Sequence, residues 1–239
     1  MDHRNQTVAV IGAGDYIGAE ICKAFAAEGF TIFAGRRNGD KLAPLVAEIE
    51  AMGGRIEART LDARNEDAVI QFIAEAEATA PLEVCIFNIG ANVNFPFTET
   101  TERVFRKVWE MACYAGFLTG REAAKTMLPR NRGCIFFTGA TAGLRGGKGF
   151  AAFASAKFGL RALAESAARE LMPQGIHVAH LVIDSGVDTA WVRERMAEAG
   201  KDRVLMDPAS VAQTYIQLWK QPRDAWTFET QIRPMGETW

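Results

Sequence analysis

Chemistry is most legible at Val8-Ala9-Val10-Ile11-Gly12-Ala13-Gly14-Asp15-Tyr16-Ile17-Gly18, a β-branched run that ends in a glycine-rich turn and opens a helix. Glycines let the backbone approach a pyrophosphate closely, and a helix N-terminus behind them supplies amide donors and a favourable dipole. The spacing is Gly-x-Gly-x-x-x-Gly, with a longer last gap than the usual dinucleotide fingerprint, and a turn without a ligand is the alternative. A second signal is Ala34-Gly35-Arg36-Arg37. A site selective for the unphosphorylated adenosine ribose places a carboxylate at this point, whereas two guanidiniums offer charge-assisted bonds to a 2′-phosphate. The expectation is NADP(H) in preference to NAD(H), the alternative being a solvated basic turn.

These residues need elements to hold them. β-branched runs at 7–11, 30–34, 55–61, 83–87, 134–138, 177–183 and 227–232 alternate with stretches of helical spacing such as 19–28 and 42–52. Gly29 and Gly53-Gly54 punctuate helix ends, and Asn38-Gly39-Asp40 reads as a turn before an N-cap. Strands alternating with helices predict an α/β, Rossmann-type doubly wound sheet of about seven parallel strands flanked by helices. At 239 residues and 49% hydrophobic content, the whole chain, 1–239, reads as a single domain.

Composition narrows the partners. A net charge of −2 gives no electrostatic reason to expect nucleic acid or an anionic membrane, and no apolar run reaches the roughly 18 residues of a span. The polar start, residues 1–6, does not read as a secretory signal, so a cytoplasmic location is expected. Cys22, Cys85, Cys113 and Cys134 lack paired spacing and read as reduced, buried thiols. With His3, His177 and His180 they form no ligand cluster, so no metal is expected.

The order of motifs resembles the short-chain dehydrogenase/reductase family from Val8 to about Ile232. Against that family's Thr-Gly-x-x-x-Gly-x-Gly, Gly12 and Gly18 match the outer glycines, while Ile11 replaces the threonine and Tyr16 the middle glycine. Asp62 matches the adenine-contacting aspartate. Asn88-Ile89-Gly90 matches the tail of Asn-Asn-Ala-Gly, with Phe87 in the first asparagine's place. The resemblance implies a cofactor site of Gly12, Gly14, Tyr16, Ile17, Gly18, Arg36, Arg37, Asp62, Ala63, Asn88, Ile89, Gly90, Lys157, Val187 and Thr189.

It also implies a catalytic set, and there the match fails. The family's Tyr-x-x-x-Lys is Phe153-Ala154-Ser155-Ala156-Lys157 here, its serine position falls on Ala140 and its asparagine position on Cys113. Lys157 alone keeps its type, and a phenylalanine cannot carry the proton that accompanies hydride transfer. Thr141, Ser155, Tyr114 and Asp184 are possible substitutes, although Tyr114 sits about 100° around its helix from Cys113. In Ile183-Asp184-Ser185-Gly186-Val187-Asp188-Thr189 the aspartate replaces a family proline at the carboxyl end of a strand. It reads either as an acid or as a turn or N-cap carboxylate. Phe95, Phe97, Phe150, Phe153 and Trp191 suggest an apolar substrate pocket, and 188–206 a lid.

The resemblance implies long helices at 101–127 and 149–171, and a homodimer or homotetramer working on a small molecule. Two functions stay open. One is an NADP(H)-dependent oxidoreductase with an altered proton donor, acting on a small apolar carbonyl, alcohol or activated alkene. The other is a catalytically impaired NADP(H)-binding sensor or oligomer partner subunit.

Overall fold

The structure is a computed structural model that describes residues 3, 5–198, 200 and 204–237. Seven parallel strands form one sheet in the order β3-β2-β1-β4-β5-β6-β7: β1 Thr7–Ile11, β2 Thr31–Arg36, β3 Arg55–Thr60, β4 Leu82–Phe87, β5 Gly133–Ala140, β6 Ile176–Ile183 and β7 Glu229–Ile232. Side chains alternate between two apolar faces, which is why the inner strands read as unbroken hydrophobic runs. Val8 and Val10 face one core with Phe136, Leu181 and Tyr215; Ala9 and Ile11 face the other with Phe137, Val178 and Leu160.

The first core is covered by α1 Ile17–Ala27, α2 Ala43–Ala51 and α8 Pro208–Trp219. The second is covered by α3 Glu66–Thr79, α5 Ala115–Met127 and α6 Ala151–Leu171. Among the described residues, three helices begin where short polar side chains take up free amides. Asn65 accepts from the Ala68 amide, Thr101 from Val104 at the start of α4 Glu102–Trp109, and Asp207 from Ala209. The expected long helix at 101–127 is interrupted by a π-helical turn, Glu110–Tyr114, that separates α4 from α5. Of the expected lid, 188–206, residues 190–198 form α7, while 199 and 201–203 lie outside the described residues.

Strand order reverses direction between β1 and β4. The connections after these two strands leave the sheet toward opposite faces, so a crevice opens at their carboxyl ends, where ligands bind in open α/β sheets.

Candidate active site

The glycine turn closes tightly over that crevice. Gly12 sits at φ +95°, and a Cβ there would lie 2.6 Å from the Asn88 carbonyl oxygen, so both conformation and space require glycine. The Asn88 side chain donates to the Gly12 oxygen at 3.1 Å and accepts from the Thr138 hydroxyl, which lies 2.7 Å from the buried Tyr215 hydroxyl. One polar chain thus fixes the turn to β5 and α8. Position 14 is different: a side chain there would meet nothing within 4 Å, so the backbone is bare toward the crevice. The first amides of α1 behind it have no side-chain cap.

A groove of about 480 Å³ runs from this turn across the ends of β2 and β3. Arg36, Arg37, Lys41 and Arg64 line it against one carboxylate, Asp62. Asp62 takes both prongs of Arg64, at 2.9 and 2.6 Å, and this holds its carboxyl below the usual range. Arg36 donates to Asp15 at 2.6 Å and to the Lys41 carbonyl at 3.3 Å, while Arg37 is exposed at the rim. Asn88, Ile89 and Gly90 form the inner end. Ala63 lines the same groove. A bare backbone, uncapped helix amides and a cationic far end fit a dinucleotide with an additional phosphate.

Gly12, Gly14, Asn88 and Gly90 also line a second cavity of about 630 Å³, so the two spaces adjoin. Lys157 is part of its wall and is 2% exposed; its Nζ donates to the carbonyls of Thr138 at 2.8 Å and Ile89 at 3.1 Å. Burial pulls the amine down to about 8, partly opposed by Cys113. Phe153 lies one turn before it, its ring centroid 6.0 Å from Nζ. Phe153, Cys113 and Ala140 belong to one apolar cluster with Val108, Ala112 and Ala156. Cys113 is carried by the π-helical turn, a distortion frequent at functional sites, and burial raises its thiol.

The substitutes separate in space. Thr141 lines the cavity and hydrogen-bonds Asp184. Ser155 is exposed on α6 and is not part of this cavity's wall, and Tyr114 stacks between Trp109 and Phe117. Asp184 is 3% exposed. Burial pushes its carboxyl up, but Thr141, Arg145, Arg233 and Gln231 outweigh this and hold it low. A carboxylate so held is stabilised in its ionised form, which favours the reading of Asp184 as a structural turn carboxylate over that of an acid.

Val187 and Thr189 line the cavity, as do Phe150 and Trp191; Phe95 and Phe97 are surface residues outside it. Tyr16 and Ile17 line it too, and the Tyr16 hydroxyl accepts the Ala190 amide at 3.2 Å, joining the glycine turn to the first residue of α7. A bulky side chain at a glycine position hints at that role, but its partner lies 174 residues away. His177 and His180 are structural. His177 stacks on Trp226, and His180, lowered to about 4 by burial, bonds Glu229.

With this geometry, the chain belongs to the short-chain dehydrogenase family, whose pattern matches residues 6–200. A crystal structure of a short-chain dehydrogenase from Rhodopseudomonas palustris is 68% identical and superposes with a TM-score of 0.86, covering 96% of this chain and 99% of that one. A 3β-hydroxysteroid dehydrogenase from Mediterraneibacter gnavus is 31% identical over 208 residues, 81% of this chain and 74% of that protein. An actinorhodin polyketide ketoreductase solved with NADPH shares the fold, with a TM-score of 0.88 at 22% identity and 97% of each chain covered.

Proposed function

We propose that the protein is an NADP(H)-dependent oxidoreductase that exchanges hydride with a small apolar carbonyl, alcohol or activated alkene without a tyrosine proton donor. The observation that carries this reading is the continuity of two spaces: a groove with four cations against one carboxylate, and an apolar cavity with Lys157 in its wall. Gly12, Gly14, Tyr16, Ile17 and Gly18 hold the pyrophosphate with the uncapped amides of α1. Arg36 and Arg37 hold the 2′-phosphate, Asp62 and Ala63 flank the adenine, and Asn88, Ile89 and Gly90 line the path inward. Lys157 binds the nicotinamide ribose, and Val187 and Thr189 hold the carboxamide. When bound, the nicotinamide supplies or accepts the hydride.

Proton supply then rests on what lines the cavity around Phe153. Lys157 carries a proton that leaves near pH 8, and Thr141 carries a hydroxyl; Ser155 and Tyr114 are not part of the cavity wall. A general acid contributes about 10²- to 10⁴-fold to such a step, so a weaker donor predicts a slow enzyme rather than none. The described residues 188–198 belong to a lid over the cavity, with Tyr16 as one latch. The protein works in the cytoplasm as a homodimer or homotetramer through α4, α5 and α6, whose outer faces expose Phe105, Trp109, Phe117 and Phe158.

The test is a titration with NADPH and with NADH, followed by cofactor fluorescence, on wild type and on Arg36→Ala and Arg37→Ala. Micromolar NADPH binding that weakens in the variants is the expected result. No binding of either nucleotide overturns the reading. The apolar packing of Phe153, Ala140 and Cys113 favours a second reading, a nucleotide-binding sensor or partner subunit without turnover. Tight NADPH binding with no hydride exchange across a carbonyl panel would select it.

A further inference from the structure

We propose that Arg145 anchors a carboxylate on the substrate, so that the compound acted on is an apolar carbonyl or alcohol bearing one carboxylate; this rests on the oxidoreductase reading. Among the described residues, three charged side chains line the cavity: Asp15, Arg145 and Lys157. Asp15 is paired with Arg36, and Lys157 is buried with its ammonium directed at two carbonyl oxygens. Arg145 is the remaining charge, and its side chain is 47% exposed. The surrounding wall is apolar, with Ala142, Phe150, Phe153, Val187 and Trp191.

The guanidinium is positioned rather than loose. Its Nη2 donates to Asp184 Oδ1 at 3.2 Å, and its backbone amide donates to the Thr141 carbonyl at 3.1 Å. Asp184 is itself clamped, since its other oxygen accepts from Gln231 at 2.6 Å and from Arg233 at 3.0 Å. One bond to Asp184 uses one of five N–H donors, and the planar fork keeps an edge for a carboxylate, to which it binds bidentately. Asp184 stands where the resemblance has a proline. The substitution therefore has a use: it aims Arg145.

The occupant follows from the walls. An apolar cavity with one oriented guanidinium discriminates an acid from its ester by the charge-assisted pair, while the body of the ligand is held by contact with the aromatic side chains. The probes are 4-oxo-4-phenylbutanoate and its methyl ester, which share an aryl ketone and differ in charge. Binding is measured by calorimetry with and without NADPH on wild type, Arg145→Met and Arg145→Lys.

The expected result is an acid bound about tenfold more tightly than the ester by wild type, a preference below about twofold in Arg145→Met, and partial retention in Arg145→Lys. NADPH affinity stays unchanged in both variants. Equal binding of acid and ester by wild type, a preference that survives in Arg145→Met, or binding of neither probe up to about 10 mM overturns the proposal. Failure of NADPH to bind while the acid preference persists overturns the oxidoreductase reading and leaves the anion site standing.

Discussion

Asp15 and Arg36, 21 residues apart, meet at 2.6 Å and tie the glycine turn to the end of β2. The contact places a carboxylate beside a guanidinium that a 2′-phosphate would also use. Asp15 is 66% exposed, so the pair is worth less than about 1 kcal/mol and yields readily to a dianionic phosphate. Asp15→Asn is expected to tighten NADPH binding by about threefold, while Arg36→Ala and Arg37→Ala each weaken it about tenfold. NADH binding changes little in all three. Fluorescence titration at two salt concentrations checks this, because the NADPH differences must shrink as salt rises.

The packing around Phe153 shapes the outcome of restoring a phenol. Phe153 packs with Ala140 and Cys113 and also lines the cavity, so Phe153→Tyr places a hydroxyl at the cavity wall without a serine at position 140 to orient it. The double variant Phe153→Tyr, Ala140→Ser supplies that serine. Carbonyl reduction with NADPH is expected to rise by about 10²-fold in the double variant and by less in either single one. Equal rates in all four proteins would show that proton transfer does not limit turnover.

Lys157 makes stability depend on pH on the alkaline side. Its amine falls from 10.5 unfolded to about 8 folded, so between those values the unfolded chain binds more protons and stability rises with pH. Below pH 8 both states are protonated and the full burial cost, roughly 3 kcal/mol, is present. Relative to Lys157→Met, the wild type should therefore gain stability from pH 8 to 10. Chemical denaturation of both proteins across that range reads the difference, and parallel curves would contradict it.

Asp184 acts on the acid side with the same sign, since the unfolded chain again binds more protons and stability again rises with pH. Its folded carboxyl lies below the usual range, so its contribution is complete above that range and disappears as pH falls through it. Asp184→Ala removes the acceptor of Arg145, Arg233 and Gln231 and should cost about 2–4 kcal/mol at neutral pH. Urea midpoints at pH 7 and pH 3 check this, since the gap between variant and wild type must narrow at the lower value.

Gly139 carries a packing prediction. A Cβ there would lie 2.5 Å from Nε2 of His180, whose other ring nitrogen is held by Glu229. The ring is fully buried and cannot retreat, so Gly139→Ala should destabilise by about 1–3 kcal/mol. Thermal denaturation against wild type measures it; an unchanged midpoint would mean that the ring has room to turn.

The doubly wound sheet was legible in the amino-acid order, because buried parallel strands require continuous apolar runs and the helices between them a 3.6-residue period. The strand at 7–11 is found at its expected bounds, and the glycine turn and the arginine pair line the groove. The resemblance in motif order, rather than any periodicity, drew attention to Lys157, Phe153, Ala140 and Cys113. What those residues touch depends on the folded arrangement. It put Phe153, Ala140 and Cys113 into one cluster, turned Ser155 to solvent, stacked Tyr114 between Trp109 and Phe117, and broke the helix at 110–114 with a π turn. It also gave Asp184 its arginines, from a loop 39 residues earlier and a strand end 49 residues later. Charge pairing and burial between distant segments leave no periodic trace in a chain, so the protonation state of Asp184 and the direction of Arg145 are properties of the fold.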